Sequence, residues 1–313
     1  MGYLSGMVLF IGSISNILHL NSTYMNDYTD HIKTYNKVFS YDNFDVFKSN
    51  IKEIDNINNN EKFTFNVEMN QMGDNKYTME PFIINEYDEY YKPPDMDVPD
   101  EVDWRKNNTV TDVKNQGRCG SCWAFSTTGS VEGIIAIKEG KLYNISEQQL
   151  VDCSITNNGC SGGTMDNAYQ YIINNGLCSE KNYSYEGVDD VCRSDNCTSI
   201  VNISSYKNLH PSEKVLKQVV AQQPVSVAIQ ADLTSFKFYS GGIYNDPNCG
   251  DELDHGVLVV GYGIDDELNM EYWIVKNSWG KEWGENGYIR ILRGSNKEYG
   301  LCGISNMPSI PEI

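Results

Sequence analysis

The sequence predicts an α+β protein, helical in its first two thirds and β-rich in its last third. Two stretches, Asp42 to Asn58 and Ser121 to Glu139, repeat apolar residues at helical spacing. From Pro224 onward, short β-branched and aromatic runs alternate with Gly, Asn and Asp turns, the pattern of an antiparallel sheet or half-barrel. At 313 residues, with 40% hydrophobic and 12% aromatic content, the chain is long enough for two or three domains and too apolar for general disorder. No apolar run approaches the ~18 residues of a membrane-spanning helix. The formal charge is −19. Residues 1–97 hold 15 acidic and 7 basic side chains and residues 98–313 hold 28 and 17, so neither part is the basic arm that a nucleic-acid partner requires.

The elements follow in chain order. MGYLSGMVLFIGSISNILHL has the apolar length of a secretory signal but no basic residue before Lys33, so residues 1–20 read as a degenerate signal segment or as the start of the first helix. Over 42–58, Phe44, Phe47, Ile51 and Ile54 fall on one helical face behind an Asp42/Asn43 capping pair. Between Glu86 and Pro99 the composition shifts to YDEYYKPPDMDVP. Lys92-Pro93-Pro94 there favours an extended, protease-accessible linker that folds into no core. Over 121–139, Trp123, Phe125, Val131, Ile134, Ile135 and Ile137 give a wide apolar face that Gly140 ends, which predicts a buried helix. The runs PVSVAIQ, GVLVVGYG, EYWIVKNSW and GYIRILRG predict the strands.

Nine cysteines are many for a cytosolic enzyme, and pairing leaves one over. Cys119-Gly-Ser-Cys122 opens the buried helix, where a thiol in the first turn feels the positive end of the helix dipole. A zinc half-site would need a second ligand pair at matching spacing, and the sequence offers none. A redox pair would need a βαβ context that is missing. In the third reading, Cys119 is disulfide-bonded and Cys122 is a nucleophile. Of the four histidines, His255 lies at the mouth of an apolar strand in LDHGVLVVGYG, which alone fits an ordinary core or turn histidine.

Cys119-Gly-Ser-Cys122-Trp123 carries the signature C-G-[SA]-C-[WY], which has its His and Asn roughly 130–150 residues downstream. His255 in LDHG and Asn277 in KNSWG stand there. The chain therefore resembles the papain-like cysteine proteases of the cathepsin L type, in zymogen form, over essentially all of residues 98–313 and more loosely over 24–97. The resemblance implies a papain-like two-domain fold with the cleft between a helical domain, 98–210, and a β-barrel-like domain, 211–313, behind an inhibitory propeptide, 21–97. It implies Cys122 as thiolate nucleophile paired with protonated His255, Asn277 orienting the imidazole under Trp279, and Gln116 donating to the oxyanion with the Cys122 N–H. Gly162 and Gly163 would form the backbone-binding edge. Met165, Ala228, Leu253 and Met307, with Asp254 beside His255, would shape the site for the second residue before the cleaved bond. Met307 stands where relatives that accept arginine carry an acid, so Leu, Phe or Val is expected there.

By the same resemblance Cys119 pairs with Cys160, Cys153 with Cys192 and Cys249 with Cys302. Cys178 and Cys197 fall outside that basic pattern and are read as an additional bridge. The propeptide motif E-x3-R-x3-F-x2-N-x3-I-x3-N survives as Phe47, Asn50, Ile54 and Asn58, with Phe39 and Asn43 replacing Glu and Arg. The second motif, G-x-N-x-F-x-D, survives as Glu68, Asn70, Met72 and Asp74. Altered internal salt bridging and cleavage near Asp97 or Val98 are expected. No insertion resembles an occluding loop, which favours an endopeptidase. Expected partners are protein and peptide substrates, the chain's own propeptide and cystatin-like inhibitors, with a monomeric enzyme and no cofactor or metal. A lysosome-like or vacuolar lumen, or secretion, is the expected compartment. Six N-x-[ST] sites, at Asn21, Asn107, Asn144, Asn182, Asn196 and Asn202, give it weak support. The competing readings are a catalytically dead homologue, which would have lost Cys122, His255 or Asn277, and an acyltransferase or transglutaminase sharing the nucleophile.

Overall fold

In the computed structural model, which describes residues 23–75, 79, 81, 82 and 89–313, the described residues open with two helices, α1 over residues 23–34 and α2 over Tyr41–Asn58. The signal-like segment 1–20 and part of the linker lie outside the described residues. Helix α2 starts one residue before the expected cap. Ser40 is the N-cap, accepting from the Asn43 N–H at 3.5 Å, and Asp42 instead sits in the first turn, where its charge favours the helix dipole. Phe44 and Phe47 pack on Tyr28 of α1, while Ile54 and Ile57 join the main sheet core. The surviving motif asparagines have local reasons. Asn50 Nδ2 donates to the Gly73 carbonyl at 2.8 Å, and Asn58 exchanges two hydrogen bonds with the backbone of Val67 at 2.9 and 3.0 Å.

Strand β1, Thr64–Val67, pairs antiparallel with β5, Tyr239–Tyr244. The other strands are β2 (Val102–Asp103), β3 (Ser205–Asn208), β4 (Val225–Ile229), β6 (His255–Asp265), β7 (Met270–Lys276), β8 (Tyr288–Leu292) and β9 (Ser309–Glu312). They form one nine-stranded sheet in the order β1-β5-β8-β7-β6-β4-β9-β3, with β2 against β6. The four runs singled out in the sequence are β4, β6, β7 and β8. One departure from the antiparallel expectation is the β5–β8 pair, which is parallel.

Helix α3, Cys122–Glu139, runs between the sheet and a second, helical core, and ends at Gly140 in the left-handed conformation, φ 71°. Trp123, Val131, Ile134 and Ile135 pack with residues of α4 (Glu147–Cys153) and α5 (Met165–Asn175). Toward the sheet α3 presents small residues. A Cβ on Gly129 would lie 2.8 Å from Leu258 Cδ2 and one on Gly133 2.7 Å from Pro224 Cγ, while Ser126 Oγ donates to the Val257 carbonyl at 2.7 Å. That approach brings the first turn of α3 against the start of β6. A buried hydroxyl chain ties the layers: Tyr169 OH bonds Ser130 Oγ at 2.6 Å and donates to Ser226 Oγ at 2.8 Å.

Four disulfides cross-link the chain beyond residue 98: Cys119–Cys160, Cys153–Cys192, Cys178–Cys197 and Cys249–Cys302. The linker departs in part from its expected form. Tyr91 lies alongside the end of β3, its N–H donating to Asn208 O at 2.8 Å and its ring under the Lys207 ammonium at 4.3 Å, and Pro93 is buried. Among the described residues of the linker, 94–97 are exposed in succession. The aromatic and the ring of proline lose water by docking on a sheet edge whose N–H and C=O groups need partners.

Candidate active site

Cys122 is the first residue of α3 and is 7% exposed. His255 is the first residue of β6. Gly256 makes the meeting of these two elements possible, because a Cβ there would stand 3.2 Å from the Cys122 carbonyl and from the Trp123 nitrogen. Cys122, His255, Gln116, Gly162, Gly163 and Asp254 line one cleft. Asn277 follows β7 directly, and its Oδ1 lies 2.8 Å from His255 Nε2 while accepting the Ser278 N–H at 2.7 Å. An oxygen that accepts from Ser278 also accepts from the ring, so Nε2 carries the proton and Nδ1 is the free ring nitrogen. Trp279 lies over the imidazole with centroids 4.7 Å apart, and Phe236 and Trp283 hold it edge-on at 5.8 and 5.2 Å.

Gln116 is delivered by a short backbone bridge. Its N–H donates to the Ser278 carbonyl at 2.8 Å, and Asn115 bridges Trp279. Its side-chain Oε1 accepts from Ser278 Oγ at 2.6 Å and its Nε2 donates to Cys119 O at 2.9 Å, which fixes the amide and leaves the second N–H of the NH2 group. Ser278 and Gly256 were not singled out in the sequence. Both lie beside motif residues, yet their roles exist only once distant segments meet.

The two glycines of CSGG differ. Gly162 has φ +107° and no heavy atom within 4 Å of a Cβ position, so it lies on the open edge in a conformation that favours glycine. Gly163 is closed in, since its Cβ would meet Asn157 Oδ1 at 2.6 Å and Trp123 at 2.9 Å. Met165, Ala228 and Leu253 belong to one buried apolar cluster, and half-buried Met307 packs against it. Asp254 Oδ1 accepts the Ala231 N–H at 2.7 Å, and burial pushes its carboxyl up to about 7.

The N-terminal region covers this cleft. Met79, Pro81 and Phe82 line it beside Cys122 and His255. Phe82 packs against the apolar cluster of Met165, Ala228 and Leu253, and its N–H donates to the Leu253 carbonyl at 2.8 Å. Upstream, Asn70 Nδ2 donates to Lys237 O at 2.7 Å and Gln71 Nε2 to Trp279 O at 3.3 Å. Under this cover, burial pushes the Cys122 thiol up to about 11 and His255 down to about 4. Desolvation thus opposes the thiolate–imidazolium pair and favours the neutral one in the precursor. Among the described residues no group of His, Cys, Asp and Glu is placed to hold a metal ion, and no helix is long and apolar enough to cross a membrane.

Comparisons with known proteins agree with this geometry. The family model for papain family cysteine proteases matches residues 98–312. Cathepsin L of Sarcophaga peregrina is 50% identical over 227 residues, covering 71% of this chain and 67% of that protein. Procathepsin L of Rattus norvegicus is 46% identical over 268 residues, covering 80% of each. The structure of digestive procathepsin L 3 from the larval midgut of Tenebrio molitor superposes with a TM-score of 0.81 at 38% identity, covering 93% of this chain and 99% of that one. With a free cysteine opening its buried helix, a His–Asn pair under a tryptophan and a covered cleft, the chain belongs to the papain family of cysteine proteases, as a cathepsin L-like peptidase made as a proenzyme.

Proposed function

We propose that the mature enzyme is an endopeptidase, acting through an acyl-enzyme on Cys122, that prefers an apolar residue at P2, the second residue before the cleaved bond. The observation that carries the specificity is Phe82. The chain's own segment lays this ring on the Met165, Ala228 and Leu253 cluster, with its backbone N–H on Leu253 O, as an apolar substrate residue would bind. Half-buried Met307 beside that cluster offers no carboxylate for arginine.

Uncovering the cleft returns water to Cys122 and His255 and lets the proton pass from sulfur to Nδ1, with the helix dipole supporting the thiolate. The thiolate attacks the scissile carbonyl carbon. The oxyanion takes hydrogen bonds from the Cys122 N–H and the remaining N–H of Gln116, a kind of donor whose loss raises the barrier by roughly 2.7–4 kcal/mol. As the tetrahedral intermediate collapses, His255 gives its proton to the departing amine, leaving a thioester. His255 then takes a proton from water, hydroxide adds to the thioester carbonyl, and the carboxylic acid leaves as the thiol is restored. Asn277 holds the ring through Nε2 and Trp279 keeps water from that bond.

The reading places the propeptide at 21–97, the helical domain at 98–210 and the β-rich domain at 211–313. It puts the activating cut near Asp97 or Val98, next to the exposed stretch 94–97. Four disulfides support an oxidising compartment, a lysosome-like or vacuolar lumen or the cell exterior. The test incubates the full chain at mildly acidic pH with a mild thiol reductant, beside Cys122→Ala, and profiles the product on a peptide library. Conversion near Asp97 and selection of Leu, Phe or Val at P2 are expected, with no activity from Cys122→Ala. Arginine as the favoured P2 residue rejects the specificity, and an inactive product after a supplied cut rejects the enzyme.

A further inference from the structure

Behind the catalytic pair, on the side of Asn277 away from the cleft, lies a buried cluster of charged residues that the reaction described above does not use. Lys114 Nζ donates to Glu132 Oε1 at 3.1 Å and to Glu147 Oε1 at 2.5 Å, Thr128 Oγ1 donates to the same Glu147 oxygen at 2.5 Å, and Lys276 Nζ donates to Thr111 Oγ1 at 2.9 Å. A small cavity of about 20 Å³ lies between this cluster and the catalytic residues, and Glu147, Lys276, Asn277, Ser278 and Gly256 all line it. One water needs roughly 10–15 Å³ and 2–4 polar partners.

Two polar atoms on residues of that lining have no hydrogen-bond partner. One is Asn277 Nδ2, an amide donor on a side chain 3% exposed, and the other is Glu147 Oε2, a carboxylate acceptor on a side chain 1% exposed. Buried donors and acceptors are paired in the great majority of cases. These two are complementary, and their residues line one cavity with room for a water.

We propose that this cavity is a binding site for a single ordered water, which accepts from Asn277 Nδ2 and donates to Glu147 Oε2, making Glu147 a positioning residue for the catalytic histidine. The inference rests on the reading of Asn277 as the residue that orients His255. Asn277 Oδ1 is already held by Ser278, but an amide fixed at one end can still tilt about that bond. A hydrogen bond from Nδ2 to a held water closes the other end. The plane of the amide, and through Nε2 the plane of the imidazole, is then set from the helix α4 side of the molecule. Glu147 would act on the rate with no contact to substrate.

Glu147→Gln tests the bridge with little change of volume. Both donors on Oε1, Lys114 and Thr128, require an oxygen there, so the glutamine NH2 turns to the cavity and the charged acceptor that holds the water is replaced by a neutral donor, which weakens and reorients the bridge. Full-length Glu147→Gln, Asn277→Ala and the double variant are activated identically and compared by kcat and KM on one apolar-P2 peptide. The expected result for Glu147→Gln is a fall in kcat of about tenfold with KM within about twofold, and no further fall when it is added to Asn277→Ala. Unchanged kcat in Glu147→Gln, or losses that multiply in the double variant, overturns the proposal and leaves the reading of Asn277 standing. Full activity in Asn277→Ala overturns both. A high-resolution crystal structure of the full-length Cys122→Ala chain decides the matter should Glu147→Gln not fold: one water within hydrogen-bond reach of both atoms supports the proposal, and a cavity without it ends the proposal.

Discussion

Residues 23–75 organise around three buried aromatic side chains, Tyr28, Phe44 and Phe47, without a single cysteine, whereas residues 98–313 hold four disulfides and most of two large apolar clusters. The covering region is attached by one short strand, by Ile54, Ile57, Phe65 and Val67 in the main sheet core, by a few side-chain hydrogen bonds and by Phe82. Beside its aromatic cluster, its interior holds a buried charged group. Asp74, 1% exposed, accepts the Lys37 ammonium and lies 3.5 Å from His31 Nε2, and its Oδ2 has no hydrogen-bond partner. Lys37 and His31 thus face Asp74 from α1 and the turn after it, in a chain where Phe39 and Asn43 stand for the motif's Glu and Arg. The part that is to leave is held by groups that protons can disturb, and the part that remains is cross-linked covalently.

The sharpest way to break this contrast is Asp74→Ala, which leaves Lys37 and His31 facing each other without a counter-charge. Removing one partner of a buried pair costs roughly 3–5 kcal/mol. In a Cys122→Ala background the covering region should melt or be digested at neutral pH while the disulfide-bonded part keeps its own transition, and a single unchanged transition would sink the contrast. The converse test removes a cross-link. Cys178→Ser with Cys197→Ser opens a bridge spanning 19 residues, expected to lower the stability of the enzyme part by about 3 kcal/mol and to leave digestion of the covering region unchanged.

Acid should act through His31. Burial lowers its pKa below 6.5, with Lys37 acting in the same direction and Asp74 opposing, and its ring packs 4.9 Å from both Tyr35 and Phe47. A histidine whose folded pKa lies below its unfolded value stabilises the fold fully above pH ~6.5, and that stability is lost as pH falls from there toward the folded pKa. His31→Phe should therefore shift release of the covering region to lower pH, measured by tryptic digestion of the Cys122→Ala chain across a pH series. Identical midpoints would remove His31 from the account. The smallest effect is expected from Ser40→Ala, about 1 kcal/mol from the lost cap of α2, visible as a modest fall in the first thermal transition alone.

Much of the enzyme was legible because its signals are local. The apolar run of α3 with Gly140 behind it, the β-rich runs that became β4, β6, β7 and β8, and the three short motifs around Cys122, His255 and Asn277 each sit within about twenty residues of sequence. What was not legible is set by partners far along the chain. TFNV becomes β1 only because β5 lies beside it, and SIPE, with its proline, becomes β9 between β4 and β3. Ser126, Gly129 and Gly133 read as weak helix formers, and their value is the close approach of α3 to Leu258 and Pro224. Lys114, Glu132 and Glu147 read as surface charges, and no local pattern marks them as a buried cluster. Gly256, in the run read as a strand, carries no signal of its own close approach to Cys122.

The pairing of β1 with β5 also says what the enzyme becomes when the covering region leaves. β1 is the terminal strand of the sheet, so its departure strips the hydrogen-bond partners from Tyr239–Tyr244 along one whole side. A bare strand edge invites pairing with another chain. Gly242 at φ +92°, whose Cβ would stand 2.4 Å from Thr64 O, bends this edge to the shape of its temporary neighbour. While it is in place, the covering region therefore acts as a hem along this edge, closing Tyr239–Tyr244 to pairing with another chain.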